Sequence, residues 1–333
     1  MKRQRGMALI SVLLITTIVL SILANVFYRQ NLAQERLFQA MLADQAILIG
    51  LSAEDWVSEI LIQDKKDSNY DSLNEDWAKV LTSIPVEKGL LSGRLVDLQA
   101  RVNLNRFTDF KQDTYELART SPRSDYALLR RLSDLASISL SDAQIDALID
   151  WQDGDEQISG MGAESPEYQL SDMPYRTANG EMISLHELLL VQGYNESVIK
   201  MLSPWVILLP RSVRQINVNT APALVLMSLS EYIDESIAGS LIEIRNEEPW
   251  SSKREFYNSL AELLQLDNSE QAADLVRIDE YDPVSVSSDY FRLEIDLQLG
   301  GKVFRLESVL HRKIVNNQYR VNVISRLMQI ISD

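Results

Sequence analysis

From Gly6 through Tyr28 the chain carries no charged residue, and this run follows a basic cluster of Lys2, Arg3 and Arg5. An uncharged helix of this length, rising about 1.5 Å per residue, spans the roughly 30 Å of a bilayer core. The Lys/Arg bias ahead of the run places Met1 in the cytoplasm and everything beyond Tyr28 outside. A cleaved secretory signal is the competing reading, with an apolar region of about 7–15 residues and a small-x-small cleavage site. Here the run is longer, and SILANVF is a poor site. The apolar pattern also flows on into an amphipathic helix (Leu32, Leu37, Met41, Leu42, Ile47, Leu48, Leu51, Trp56, Ile60) with no Gly or Pro before Gly50. The pattern predicts a signal-anchor helix that continues outward as one rod, from Met7 to about Ile62.

The 333-residue chain has room for two domains and a formal charge of −16; without Met1–Gly6 and its three cations the charge is −19. An acidic exterior argues against nucleic acid, whose binding depends on Lys and Arg neutralising backbone phosphates. Protein partners or divalent cations suit it better. Absence of cysteine removes disulfides and thiol chemistry, and the two histidines, His186 and His311, lie far apart. Zinc sites and Ser-His-Asp catalysis are poorly supported, and no enzymatic activity is expected. Ser184-Leu185-His186-Glu187 reads as a helix-capping box, with Glu three residues after Ser, before it reads as a catalytic group.

After the rod comes a polar break, QDKKDSNYDS. Residues 73–84, LNEDWAKVLTSI, then suggest a short amphipathic helix closed by Pro85. LLSGRLVDLQARVNLN alternates apolar and polar residues and reads as one or two strands. From Phe107 to about Asp279 the pattern is helical, with candidate helices in DYALLRRLSDLASI, SDAQIDALIDWQ, SLHELLLVQG, NESVIKMLSPWV, APALVLMSLS, DESIAGSLIEIRNEEP and SKREFYNSLAELL. Several open on Ser, Asp or Asn, which accept from the free N–H groups of a first turn. The C-terminal part reads as strand, Gly300-Gly301 turn, strand, Asn316-Asn317 turn, strand. A strand at 91–105 needs partners, because isolated strands are unstable. The economical architecture is therefore α+β: a discontinuous domain with an antiparallel sheet, interrupted by a large all-α insertion.

The leader resembles that of class III prepilins: a basic segment, a glycine cut by prepilin peptidase, then a hydrophobic helix. Gly6 and Met7 match the cut site. That resemblance implies methylation of Met7. Most members carry glutamate at the fifth mature position, where this chain has Ser11. A carboxylate in hydrocarbon is expensive unless paired, and in pilin-like fibres it is thought to pair with the amino terminus of the subunit ahead. Ser11 therefore suggests a subunit with none ahead of it.

Nearly the whole chain resembles the minor pseudopilin K family of type II secretion. The segments that carry the likeness are the leader, SGRLVDLQARVNLNRF, residues 150–194 from DWQDGDEQ to LLLVQGY, and INVNTAPALVLMSLS. The resemblance implies a leader at 1–6, a transmembrane helix at 7–28, a pilin-like αβ domain at 29–106 and 280–333, and an inserted helical domain at 107–279. It further implies a single-pass inner-membrane protein, periplasmic in bulk, that joins minor pseudopilins I and J at the tip of the pseudopilus. There it would cap and prime the fibre for protein export across the outer membrane.

The run Asp150-Trp-Gln-Asp153-Gly-Asp155-Glu156 ends one helix and leads into a loop reaching Glu164. Calcium takes six to eight oxygens, and Asp153 and Asp155 around Gly154 can converge, with Glu164 returning from the far side. The spacing is not that of an EF-hand. On spacing alone a solvated acidic helix end remains the simpler reading. The family resemblance implies structural calcium here, with Asp153, Asp155 and Glu164 as ligands and Asp150 as a weaker one.

A rival lies in residues 216–256, which resemble the helix-hairpin-helix units of membrane-anchored DNA-uptake receptors. They share INVNTA, the Ala221-Pro222 helix start, and Arg245 before a break. Such hairpins hold phosphate on a glycine-rich turn. This one reads SEYIDES, with three carboxylates and no glycine, which repels anions. The upstream copy near SLHELLLVQGYNESVIKML retains Gly193 alone.

Overall fold

No proline occurs before Pro85, and in the computed structural model one helix, α1 (Gln4–Asp67), runs for 64 residues, roughly 96 Å at the ordinary helical rise. The structure describes residues 4–107, 114–171, 173–278 and 281–331. The leader's first three residues, and parts of the expected domain junctions near 107 and 279, lie outside them. Gly6 and Met7 fall in the first turns of α1, with Ser11 one turn further on. From Leu9 to Met41 almost every α1 side chain is exposed. Beyond that point one face turns inward: Leu42, Ala46, Val57 and Leu61 are buried.

That face packs on a five-stranded antiparallel sheet made of β1 (Leu81–Val86), β2 (Gly89–Asp97), β7 (Tyr290–Leu299), β8 (Lys302–Val315) and β9 (Gln318–Ile331), in the order β1-β2-β7-β8-β9. Between β2 and β7 lie the remaining strands and helices. A first lobe holds β3 (Val102–Asn103), α2 (Tyr115–Thr120), α3 (Asp125–Leu135), α4 (Asp142–Gln152), α5 (Ser165–Tyr168), α6 (Glu196–Leu202) and β4 (Val206–Ile207). A second holds β5 (Ile216–Asn217), α7 (Ala223–Leu229), α8 (Glu235–Glu247), α9 (Lys253–Leu264), α10 (Ser269–Val276) and β6 (Val284–Ser285).

Alternation sets the sheet's buried face. Leu293, Ile295, Leu297 and Leu299 of β7 and Phe304, Leu306 and Leu310 of β8 meet α1 in one core. Helix and sheet approach closely at Gly50, where a Cβ would stand 3.0 Å from Leu306 Cδ2 and 3.3 Å from Met328 Cε. The two hairpin turns have positive φ at both central residues, Gly300-Gly301 and Asn316-Asn317, as two-residue turns that follow strand twist require.

Residues 73–84 are not a helix. Only Asp76–Ala78 form a 3₁₀ turn, and β1 begins at Leu81 with Pro85 inside it. Proline lacks a ladder N–H but is tolerated on an edge strand, and β1 is the sheet's edge. The helix expected over 184–193 is likewise a 3₁₀ turn, Leu185–Leu190, opened by the Ser184–Glu187 capping box. The short helices α2, α5 and α10 carry too few apolar repeats to stand out beforehand.

Each lobe is opened by the same device. Asn103 Oδ1 accepts from Asn105 N at 3.1 Å, and Asn217 Oδ1 from Asn219 N at 3.1 Å. The second asparagine then clasps one distant residue by both backbone groups. Asn105 holds Met182 (Oδ1 from N, 2.9 Å; Nδ2 to O, 2.9 Å), and Asn219 holds Trp250 (3.0 and 2.9 Å). The strands opening and closing each lobe also pair in parallel, β3 with β4 and β5 with β6. The two lobes are two versions of one unit sharing a single apolar core.

Candidate metal centre at the α4–α5 loop

Ser141 caps α4 with Gln144 in a full capping box, and the helix runs until Asp153, whose N–H still reaches Ile149 O. Asp150 therefore sits in the last turn and Asp153 at the cap. The chain leaves in a long loop, residues 154–163, and re-enters helix at Glu164, the N-cap of α5, followed by Pro166 in the first turn. All three side chains are buried. One carboxylate oxygen from each lies within 4.8 Å of the other two.

The loop is moulded around these groups. Ser159 N donates to Asp150 Oδ1 at 2.9 Å. At Gly162 a Cβ would stand 2.1 Å from Asp150 Oδ2, so only glycine allows this backbone approach. Three buried oxygens around the loop have no donor: Asp150 Oδ2, Glu164 Oε1 and Asn179 Oδ1. No Lys or Arg pairs with the three carboxylates among the described residues. Burial, then neighbouring acids, push Asp153 up to about 7 and Glu164 up to about 8. Asp150 also rises to about 7, from burial first and against hydrogen bonds from Ser159. Buried acceptors without donors are rare in folded proteins. All-oxygen carboxylate sets with no cation beside them have the chemistry of hard divalent cations. The donor set fits calcium.

Asp155 stands apart from the cluster. It is part-exposed, and its Oδ1 accepts from Gln157 N at 2.8 Å. The residue that sequence reading missed is Asn179, which bonds Asp155 O and Trp151 O and leaves its own Oδ1 free. Its left-handed backbone, φ 45°, and the following Gly180 were the available signal.

A second acidic group, Asp64, Asp71 and Glu75, already has partners: Lys65 Nζ lies 3.8 Å from Asp71, and Glu75 accepts from Ser68, Ser72 and Trp77. Arg312 Nη2 reaches Asp71 at 2.6 Å and its Nη1 reaches Asp64 at 3.1 Å. The hairpin of the second lobe offers nothing to an anion. Asp234 caps α8, while Arg245 is buried with Nη1 on Val218 O and Ala221 O. His186 is exposed and His311 stacks on Tyr290, 4.3 Å between ring centroids. Trp77, Trp151 and Trp250 are buried, and Trp56 is half-exposed on α1.

Two stretches, residues 100–211 and 216–278, match the family model of Type II secretion system (T2SS), protein K. The chain belongs to this family. It is a minor pseudopilin, a structural subunit of a secretion apparatus. Type II secretion system protein K of Aeromonas hydrophila is 32% identical over 93% of this chain and 94% of its own length. The protein K of Pectobacterium carotovorum subsp. carotovorum is 29% identical, covering 95% and 97% respectively. Among solved structures the fold is similar to a chain of the GspK-GspI-GspJ complex from the enterotoxigenic Escherichia coli Type 2 Secretion System. The TM-score is 0.69 at 22% identity, over 88% of this chain and 99% of that one. The two family matches fall on the two lobes opened by Asn103-Leu-Asn105 and Asn217-Val-Asn219.

Proposed function

We propose that this pseudopilin is a single-pass inner-membrane protein that caps and primes the periplasmic pseudopilus, in a tip complex with minor pseudopilins I and J. The observation that carries the reading is where the insertion leaves the sheet. In the β2–β7 ladder Gly89 pairs with Leu299 and Asp97 with Phe291. The Gly300-Gly301 end lies beside Leu42 of α1. The Asp97 end is bridged through Asn217 and Ser288 to Asp71, just past the Asp67 end of the rod. The helical lobes thus sit on the end opposite the membrane helix. A fibre built by stacking α1 rods has room for such a mass only at its terminus.

Three further features support it. Among the described residues one helix, Leu9–Asp67, is long and apolar enough to cross a membrane. Its outward continuation leaves Leu37, Met41, Leu48 and Trp56 exposed, an unfilled face suited to parallel helices of other pseudopilins. The relative of known structure was itself solved as a complex with I and J subunits. We read Gly6–Met7 as the prepilin peptidase site, with Met7 methylated after cleavage, and the α4–α5 loop as a structural calcium site held by Asp150, Asp153 and Glu164. Bound calcium there would tie a long loop to a helix end. The carboxylates around SEYIDES and the buried Arg245 argue against nucleic acid.

Ser11→Glu tests the terminal position. A tip subunit should remain at one copy per fibre end. Incorporation of S11E along fibres, as readily as a major pseudopilin, would refute the role assigned to this position. The intact mass of the membrane-extracted protein checks processing: it should correspond to a chain beginning with N-methylated Met7.

A further inference from the structure

The two edges of the sheet are built differently. β1 is six residues long, its register shifts between Leu81 and Ile84, Ser83 has φ 54°, and Pro85 lies within it. Those are the devices by which edges avoid pairing with other chains. β9, the other edge, is 14 residues long and contains neither proline nor glycine. Its one irregularity is the register shift at Ile324, which leaves Ser325–Ile331 as a regular ladder with Val303–Val309.

The side chains of this edge are also open. Val323 is 37%, Ile324 55%, Leu327 56% and Ile330 53% exposed. By register, Val323 and Ile330 lie on the α1 face, opposite Leu310 and Phe304, and Leu327 lies on the other face, opposite Glu307. An added strand would find apolar contacts on both sides of its backbone.

Charge adds a direction. Residues 308–332 hold Arg312, Lys313, Arg320 and Arg326 and no acid, in a chain of net charge −16. Arg312 and Arg326 are consumed by Asp71 and Glu54. Lys313 and Arg320 are directly opposite each other in the β8–β9 ladder and have no carboxylate partner among the described residues. Directly opposed like charges destabilise a strand pair. An acidic group arriving from outside would relieve them. A second copy of this acidic chain is a poor candidate, since net charge repels it.

We propose that the free edge of β9 receives an extended, carboxylate-bearing segment of a co-assembled pseudopilin, by strand addition. Main-chain hydrogen bonds along 325–331 would supply affinity, Leu327 and Ile330 the apolar contacts, and Lys313 with Arg320 the register. The proposal rests on the co-assembly with subunits I and J argued above.

The test is amide hydrogen exchange on the full chain in detergent, alone and mixed with an excess of subunits I and J. The free-edge amides of 325–331 should slow by about tenfold or more in the complex. Protection of α1 with no change on β9 would refute strand addition and leave co-assembly standing. Protection of neither would remove both. R320E gives a second, independent readout. It replaces a like-charged cross-strand pair by an opposite-charged one, so the isolated chain should melt no lower than the parent. Its complex with I and J should nevertheless weaken about tenfold or more. Unchanged or tighter association of R320E would overturn the proposal.

Discussion

Glu54, in the last quarter of α1, is buried beneath β9 and is gripped by Arg326, with Nη2 to Oε1 at 2.5 Å and Nε to Oε2 at 3.0 Å. Ser308 Oγ donates to the same Oε2 at 2.6 Å. This two-point bond fastens the rod to the last strand, 272 residues away. Removing the arginine strands a carboxylate that is only 3% exposed. Because Arg326 itself is 42% exposed at the side chain, R326A should cost about 2–3 kcal/mol, below the range for fully buried pairs. The Arg94–Glu294 pair, with Arg94 59% exposed, should cost under about 1 kcal/mol when broken. Denaturant melts of R326A and R94A, compared side by side, check the contrast.

The α4–α5 loop predicts a dependence on divalent cations. Chelation by EGTA should lower the thermal midpoint of the exterior domain; calcium at about 100 times its dissociation constant would contribute about 2.7 kcal/mol. E164Q should abolish the response. D155N should keep it, because Asp155 faces Gln157 and not the cluster. An unchanged melt in excess EGTA would remove calcium from the account.

Asp97 lies at the joint between sheet and lobes, accepting from Ser288 and Thr220 hydroxyls at 2.6 Å and from Asn217 Nδ2 at 3.0 Å. Burial, outweighing these bonds, pushes its carboxyl up to about 6 from 3.8. The folded state therefore keeps this proton after the unfolded chain has lost it. Stability contributed here is fully present below the unfolded value and falls as pH rises to about 6, then levels. The stability of the parent chain relative to D97N should drop between about pH 4 and 6 and stay flat above. Urea melts across that window would show it.

The paired asparagine clasps predict equivalent losses. N105A would leave the N–H and C=O of Met182 without their partner, and N219A would do the same to Trp250. Each buried orphan costs about 1–3 kcal/mol, so both variants should be strongly and similarly destabilised. A neutral N219A would contradict the view that the lobes share one clasp.

Local chemistry made parts of this molecule legible. The rod shows in the charge-free run and the proline-free stretch that follows. The final meander shows in Gly300-Gly301 and Asn316-Asn317, which suit two-residue turns, and most of the long helices of the lobes show in their capping residues. What stayed hidden depends on partners distant in sequence. β1 was masked because Pro85 argues against a strand unless the strand is known to be an edge. Asp71 and Arg312, 241 residues apart, carry no sign in their neighbours that they meet. In the acidic loop, spacing singled out Asp153 and Glu164 correctly as neighbours in space. It favoured Asp155 over Asp150 because helical burial of Asp150, one turn back, is invisible until the helix is packed.

The nested arrangement of the sheet also sets an order of events. β2 and β7 are adjacent in the ladder, yet about 190 residues separate them along the chain. Closing a loop of that length from a disordered state costs roughly 4–5 kcal/mol of entropy before any pairing energy returns. The lobes begin and end with paired strands, so once they have folded they deliver both chain ends to one place and most of that cost is already met. A chain emerging amino terminus first should accordingly hold α1 and β2 waiting, with their apolar faces uncovered, until the lobes are complete. Lesions in the Asn105 or Asn219 clasps would then act on the rate at which the sheet closes as well as on the stability of the finished subunit.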